Sequence, residues 1–333
     1  MIKELQTHCT VINYVFTLDF FYISRQASLI LGRHKHSQLL LLCNFIHLGL
    51  KIFYFPLKDM GNLGIKLFCS VFLVALLLHV LPARSQEVED EREFDYKKYS
   101  EKGPARWGEI HPEWGVCSNG SMQSPIDLLH ERVHVVSHLG RLNRSYKPSN
   151  ATLKNRGHDM MLKWETGAGT LEINGTEYVL KQCHWHSPSE HTINGKKFAL
   201  ELHMVHESQD GKAAVVGILY TIGRPDSFLS SLTDRLRLVA GTGENETIAG
   251  IVNPKEIKIG SRKYYRYMGS LTTPPCTENV IWTIVRKVRT VTKEQVRLLR
   301  VAVHDESNTN ARPVQLTNGR PVQLYRPDEK EDD

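Results

Sequence analysis

Cysteine is scarce in this sequence, six among 333 residues, which excludes a disulfide-dense miniprotein. Glycine (23) and proline (14) are too few and too irregular for a collagen or a low-complexity chain. An excess of one charge is missing from most of the chain. Residues 1–85 hold 8 Lys/Arg against 3 Asp/Glu, whereas residues 86–333 hold 34 against 33. The formal charge of +6 therefore belongs to the N-terminal segment, and a nucleic-acid footprint on the folded part has no support. Several enzyme signatures are absent too. HMVHE carries the residues of a zincin helix in the wrong order, no G-x-S-x-G elbow occurs, GTGENE lacks the G-x-G-x-x-G form, and there is no P-loop.

What the sequence does have begins with a leader. Residues 67–78, LFCSVFLVALLL, follow Lys66 and precede Ala83-Arg84-Ser85 and the acidic run EVEDERE. A basic flank, a short apolar run and an A-x-S site describe a secretory signal peptide; the run is too short to span the ~30 Å of a bilayer core. Read from Met60, residues 60–85 form an ordinary leader, so residues 1–59 are expected to be an upstream extension or a mis-called start. A bipartite targeting sequence is the rival, but transit peptides are Ser-rich and this stretch holds only Ser24, Ser28 and Ser37. The leader implies the secretory pathway with extracellular or apoplastic delivery, or onward passage to the chloroplast, and no membrane anchor in the mature chain. N-x-S/T sequons at Asn119, Asn143, Asn150, Asn174 and Asn245 agree with a glycoprotein. After Ser85 only Cys117, Cys183 and Cys276 remain, an odd count that means one bridge and one free thiol, or an intermolecular link.

Residues 86–106 read as a flexible acidic arm and the globular part as residues 107–325, followed by an acidic tail, 326–333. Within it ATLKN, HDMMLKW, TLEINGTEYVL, KQCHWH, KFALELHMVHE, AAVVGILYTI, KYYRYMGSL and VIWTIVRKV alternate with period two between Gly, Pro and Asn turns. TLEINGTEYVL predicts a hairpin across Asn174-Gly175. Helical patterns are few: SFLSSLTDRLRLV, and TKEQVRLLRVAV after Thr292 as N-cap. RPVQL occurs at 312–316 and 320–324, read as two extended surface strands. The expectation is a mainly β (β-rich α+β) single domain, built on a large twisted, mostly antiparallel sheet with a few short peripheral helices.

Three histidines carry the chemistry. His184 and His186 are two apart, so on a strand both leave the same face, with Gln182 alongside. In ALELHMVHE the alternation puts His203 beside Glu201 on the face opposite Leu202 and Met204. A lone histidine on a strand is usually structural, and H-x-H is common by chance. Two neighbouring strands that bring three imidazoles together, with carboxylate or amide acceptors behind them, make a catalytic zinc arrangement with one open position.

NGSMQSPIDL, NRGHDM, QCHWHSPSEHTING, ALELHMVH, MGSLTTPPCTE and NARPVQLTNGRPV together resemble the α-class carbonic anhydrases, closest to the secreted plant members, from about Trp107 to Pro321. The resemblance implies a zinc ion (Zn2+) on His184, His186 and His203, with Gln182 and Glu201 as the acceptors behind the ligands. It implies attack of zinc-bound hydroxide on CO2 to give bicarbonate and a proton, a small-molecule substrate and no nucleic-acid partner. In that family zinc lowers the pKa of bound water to about 7, a value that belongs to the family rather than to this chain. Thr272 resembles the gatekeeper that donates to Glu190, and Thr273 its substrate-side neighbour. Val205, Val215, Leu271 and Trp282 resemble the apolar wall around the substrate. His158 matches the proton shuttle and Asn155 the residue that orders intervening water, while Arg156 places beside His158 a cation that would disfavour its charged form. Cys117 and Cys276 match the pair bridged in secreted relatives, leaving Cys183 as a buried free thiol. A storage or binding protein of the same fold, with weak turnover, is the alternative. An esterase using the same zinc site is a second enzyme reading, and a lectin-like module has no signature beyond the sequons. Degenerate relatives lose a zinc histidine or the gatekeeper, and this sequence retains both.

Overall fold

The alternating stretches fold as strands in the computed structural model, which describes residues 91–242, 245–259, 262–305 and 307–327. The extension 1–59, the leader 60–85 and residues 328–333 of the acidic tail lie outside the described residues. The strands are β1 (Asp127–Leu128), β2 (Val133–Val136), β3 (Asn143–Arg144), β4 (Ser149–Asn155), β5 (Met160–Trp164), β6 (Thr170–Ile173) and β7 (Thr176–His186). They continue as β8 (Thr192–Ile193), β9 (Leu200–Ser208), β10 (Ala213–Ile222), β11 (Glu246–Val252), β12 (Tyr264–Ser270), β13 (Glu278–Val291) and β14 (Val322–Tyr325). The α-helices are α1 (Trp107–Ile110), α2 (Val116–Asn119), α3 (Ser227–Thr242) and α4 (Lys293–Val303). No helix among the described residues is long and apolar enough to cross a membrane.

One 12-stranded sheet runs β11-β4-β5-β7-β9-β10-β13-β12-β14-β2, with β6 joining β7 and β3 joining β6. Its pairings are antiparallel except β10–β13 and β14–β2, as expected from short hairpin turns. The hairpin across Asn174-Gly175 forms, and both turn residues have the positive φ that such a two-residue loop requires (52° and 76°). The two central strands, β9 and β10, are buried on both faces. On one side Leu202 and Met204 join Phe228, Leu229, Leu232, Leu236 and Val239 of α3 and Leu299, Ala302 and Val303 of α4 in the main core. On the other, Val205 and Val215 join Leu271, Tyr267 and Trp282. Each fully buried Leu or Phe contributes roughly 1.5–3 kcal/mol. Helix α4 opens on a capping box, Thr292 accepting from the Gln295 amide and Gln295 returning the bond.

Two expectations are corrected. Residues 91–106 are not a free arm: Glu91, Phe94 and Tyr96 are buried, and Phe94 packs edge-on against Trp107 and Trp114 beside the Cys117–Cys276 bridge. Two aromatic anchors among the charges, together with the Glu91–Arg156 ion pair at 3.4 Å, dock the segment. The globular part therefore starts no later than Glu91. Nor do the two RPVQL copies behave alike. The second enters β14, between β12 and β2, while the first is irregular with Arg312 buried.

Candidate metal centre

Strands β7 and β9 pair antiparallel with His184 directly opposite His203 and His186 opposite Glu201. The spacing of two within β7 and this register put three imidazoles on one face, ring centroids 4.6–5.1 Å apart and all buried. One nitrogen from each lies within 4.8 Å of the others. The remaining nitrogens are held from behind. His184 Nδ1 donates to Gln182 Oε1 at 2.9 Å, His186 Nδ1 to the carbonyl oxygen of Asn310 at 2.7 Å, and His203 Nε2 to Glu201 Oε1 at 2.9 Å. Those acceptors fix each tautomer, so His184 Nε2, His186 Nε2 and His203 Nδ1 converge. Burial, reinforced by Arg156 and the neighbouring imidazoles, holds His184 well below the ordinary histidine pKa, and the neutral ring is the form that binds a metal. His186 Nε2 is buried without a hydrogen-bond partner. Leaving such an atom unsatisfied costs about 1–3 kcal/mol, a penalty that a cation at the convergence point removes. The donor set fits zinc.

Glu201 belongs to a second cluster with His191 and His203, but its oxygens are already used. Oε1 accepts from His191 Nδ1 (2.7 Å) and His203 Nε2, and Oε2 accepts from the amides of Glu190 and His191 at 2.9 and 2.8 Å. Burial opposes its ionisation, yet the two histidines and these bonds outweigh burial and hold the carboxyl well below its usual range. It organises His203, His191 and the loop after β7 at once. Gly217, opposite His203 on β10, gives it clearance: a Cβ there would stand 3.1 Å from Glu201 Oε1 and 2.6 Å from Ile284 Cδ1.

Glu190 and Thr272 are both buried. Burial raises the Glu190 pKa, while His186 and the Thr272 side chain oppose that rise, and Glu190 Oε2 is buried without a hydrogen-bond partner. Its Oε1 accepts from the Arg312 amide at 2.8 Å. The Thr272 turn is held by the Leu271 amide on Thr277 O, the Cys276 amide on Thr273 O, and the Cys117–Cys276 bridge. The Thr273 hydroxyl is buried without a partner. Val205, Val215 and Trp282 form one cross-strand row on β9, β10 and β13, with Leu271 in the same cluster. Trp282 also packs beside this cluster, its ring 4.8 Å from those of His191 and His203.

His158 lies apart. Its ring is held by Asp305 and by Phe94 O, between the Phe94 and Tyr96 rings, and among the described residues none of its contacts is with the three imidazoles. The cation expected beside it is withdrawn: Arg156 is buried in ion pairs with Asp159 and Glu91. Asn155 is also corrected. Its amide donates to the carbonyls of Ala302 and Val303 and its oxygen accepts from Gly157, so it caps the end of α4 instead of facing a water chain. Cys183 is a buried free thiol, and all five sequon asparagines are exposed. Sequence reasoning missed His191, Tyr267, Asn310 and Arg312. His191 stands in the SEHT motif beside Glu190, and Tyr267 donates or accepts between it and Ser124; Asn310 and Arg312 act partly through the main chain, which side-chain patterns do not reveal.

Comparison with known proteins bears on this geometry. A family model for eukaryotic-type carbonic anhydrase matches residues 102–326. Alpha carbonic anhydrase 7 of Arabidopsis thaliana is 65% identical over 262 residues, 78% of this chain and 95% of that protein. Among solved structures, dioscorin complexed with ascorbate superposes with TM-score 0.70 at 47% identity, covering 71% of this chain and 99% of that one. An alpha-carbonic anhydrase from Thermovibrio ammonificans, complexed with the inhibitor sulfanilamide, gives TM-score 0.62 at 33% identity over 69% of this chain and 98% of that one.

Proposed function

The chain belongs to the eukaryotic-type carbonic anhydrase family and is a carbonic anhydrase, and from that premise we propose that it is a secreted zinc enzyme that hydrates CO2 reversibly at the three-histidine centre and exports the proton through His158. The observation that carries the reading is the division of labour among the ring nitrogens. Each imidazole gives one nitrogen to Gln182, Glu201 or the Asn310 main chain and turns the other to a common point, where His186 Nε2 has no protein partner. Bound there, zinc supplies the Lewis acidity that makes water a nucleophile near neutral pH.

The chain's own residues do the rest. The Thr272 hydroxyl, by donating to Glu190, keeps its lone pairs for an incoming hydroxyl and so turns that hydroxyl's own lone pair toward the carbon. Glu190 must stay an acceptor for this, and the Arg312 amide holds it in place. Val205, Val215 and Leu271 offer no hydrogen bonds, which suits an uncharged substrate and favours departure of a charged product. His158 takes the released proton to buffer. The leader, the five exposed sequons and the Cys117–Cys276 bridge support the secretory route.

The test is zinc content and CO2 hydration by protein secreted from the full chain, before and after chelation. One zinc per chain, with activity lost on chelation and restored by zinc, is the expected result. The likeness to dioscorin, a protein solved in complex with ascorbate, is the observation that favours the second reading, a storage or binding protein with weak turnover. Zinc-loaded, correctly folded protein without CO2 hydration would establish that reading instead.

A further inference from the structure

Among the described residues, strand β11 ends the 12-stranded sheet and pairs only with β4. Its inward residues, Ala249 and Val252, enter the core, while Ile248 and Ile251 stand 80% and 75% exposed. Single exposed isoleucines are ordinary. Two on the outer face of an open edge, beside unpaired main-chain donors and acceptors, make a template for another strand. The edge has a bulge at Gly250 (φ 81°) and an acidic residue only at Glu246, so its built-in protection is slight.

The register identifies what covers it. Across β4, Ile251 pairs with Asn150, Gly250 with Ala151 and Ile248 with Thr152. Asn150-Ala151-Thr152 is a sequon, so acceptor asparagine and sequon threonine each stand opposite one exposed isoleucine, on the same sheet face. Paired Cβ atoms across such strands are about 4.5–5.5 Å apart. The Asn150 side chain is exposed; Asn143 is exposed too, but its amide already donates to Glu172 at 2.7 Å. A second sequon, at exposed Asn245, begins immediately before β11. We propose that an N-linked glycan on Asn150 is a structural cover for Ile248 and Ile251, keeping the β11 edge from pairing with a second copy of the chain.

The inference rests on the secretory reading above. In the modification, the Asn150 amide nitrogen takes the anomeric carbon of N-acetylglucosamine from a lipid-pyrophosphate oligosaccharide. The C–N bond forms as the C–O bond breaks, the lipid pyrophosphate leaves, and the amide proton passes to base. The first sugars then lie over the isoleucines, removing apolar surface from water.

Glycopeptide mapping of the secreted protein should find Asn150 occupied. Asn150→Gln and Thr152→Val each delete the sequon; either should bind an apolar-surface dye that the parent does not, and should sediment as two chains where the parent sediments as one. Adding Ile248→Thr and Ile251→Thr to Asn150→Gln should abolish both gains. Enzymatic trimming of the native glycoprotein should reproduce them if a variant fails to be secreted. A secreted protein with Asn150 bare would overturn the proposal and leave the secretory reading intact, while a chain that never enters the secretory pathway would sink both. An occupied Asn150 whose removal changes neither dye binding nor sedimentation would also overturn it.

Discussion

The Nδ1 of His158 lies 3.0 Å from an Asp305 carboxylate oxygen, and its Nε2 lies 2.5 Å from the carbonyl oxygen of Phe94. Both partners are acceptors, so the ring satisfies both only when it carries both protons. Arg300 holds the same Asp305 carboxylate at 2.8 Å. Burial opposes ionisation of Asp305, but the His158 bond and Arg300 prevail and lower its pKa. A proton relay through His158 must therefore break one of these contacts in each cycle.

His158→Ala leaves the ligands, Thr272 and Glu190 intact, so it should lower kcat in weak buffer much more than kcat/KM, with rescue by added imidazole. Thr272→Ala should lower kcat/KM, because it misorients the nucleophile. Equal losses in both constants for His158→Ala, without rescue, would make His158 a structural link between the 91–96 segment and Asp305.

Glu91 supplies a buried carboxylate to Arg156, and its own amide donates to Arg156 O at 2.6 Å. Arg156 keeps Asp159 when Glu91 is removed, but the carboxylate that ties the segment to it is lost. Glu91→Ala should therefore cost about 1–3 kcal/mol in denaturant unfolding. It should also expose residues 91–106 to limited proteolysis. An unchanged unfolding midpoint with an unchanged digest would show that Phe94 and Tyr96 dock the segment unaided.

At the metal centre, His203→Ala should lower zinc affinity by orders of magnitude and Glu201→Ala by roughly 10–100-fold. Competition with a chromophoric chelator measures both. If His203→Ala still holds one tightly bound zinc per chain, the ligand set is wrong.

His206 lies outside the metal site, buried between the Tyr146 hydroxyl (2.7 Å) and the carbonyl of Ala214 (3.1 Å). Burial lowers its pKa from 6.5 to about 4. The unfolded chain therefore binds the extra proton first. The contribution is complete above pH 6.5 and is lost as pH falls toward 4, on the order of 3 kcal/mol in all. His206→Gln should flatten that acid limb of stability against pH. A limb of unchanged steepness would place the acid sensitivity elsewhere.

Period-two alternation is a property of the local backbone, so the sequence alone determined that His184 and His186 share a face and that His203 lies opposite Leu202 and Met204. It also determined the Asn174-Gly175 hairpin, where only residues tolerant of positive φ close the loop, and the Thr292 cap, where a side chain meets an amide three residues away. The gatekeeper pair and the cysteine bridge came through motifs rather than through any local rule. Tertiary structure decided what depends on register and on distant main-chain groups. It set His184 opposite His203 rather than one residue out of step, and brought the Asn310 carbonyl to His186 across 124 positions. It also turned charged residues 91–106 into a docked segment, because a buried arginine partner and a ring of aromatics outweigh the cost of ordering it. Likewise it gave the Asn155 side chain to the last carbonyls of α4 in place of solvent, because a helix end must satisfy its orphan acceptors wherever the fold brings a donor.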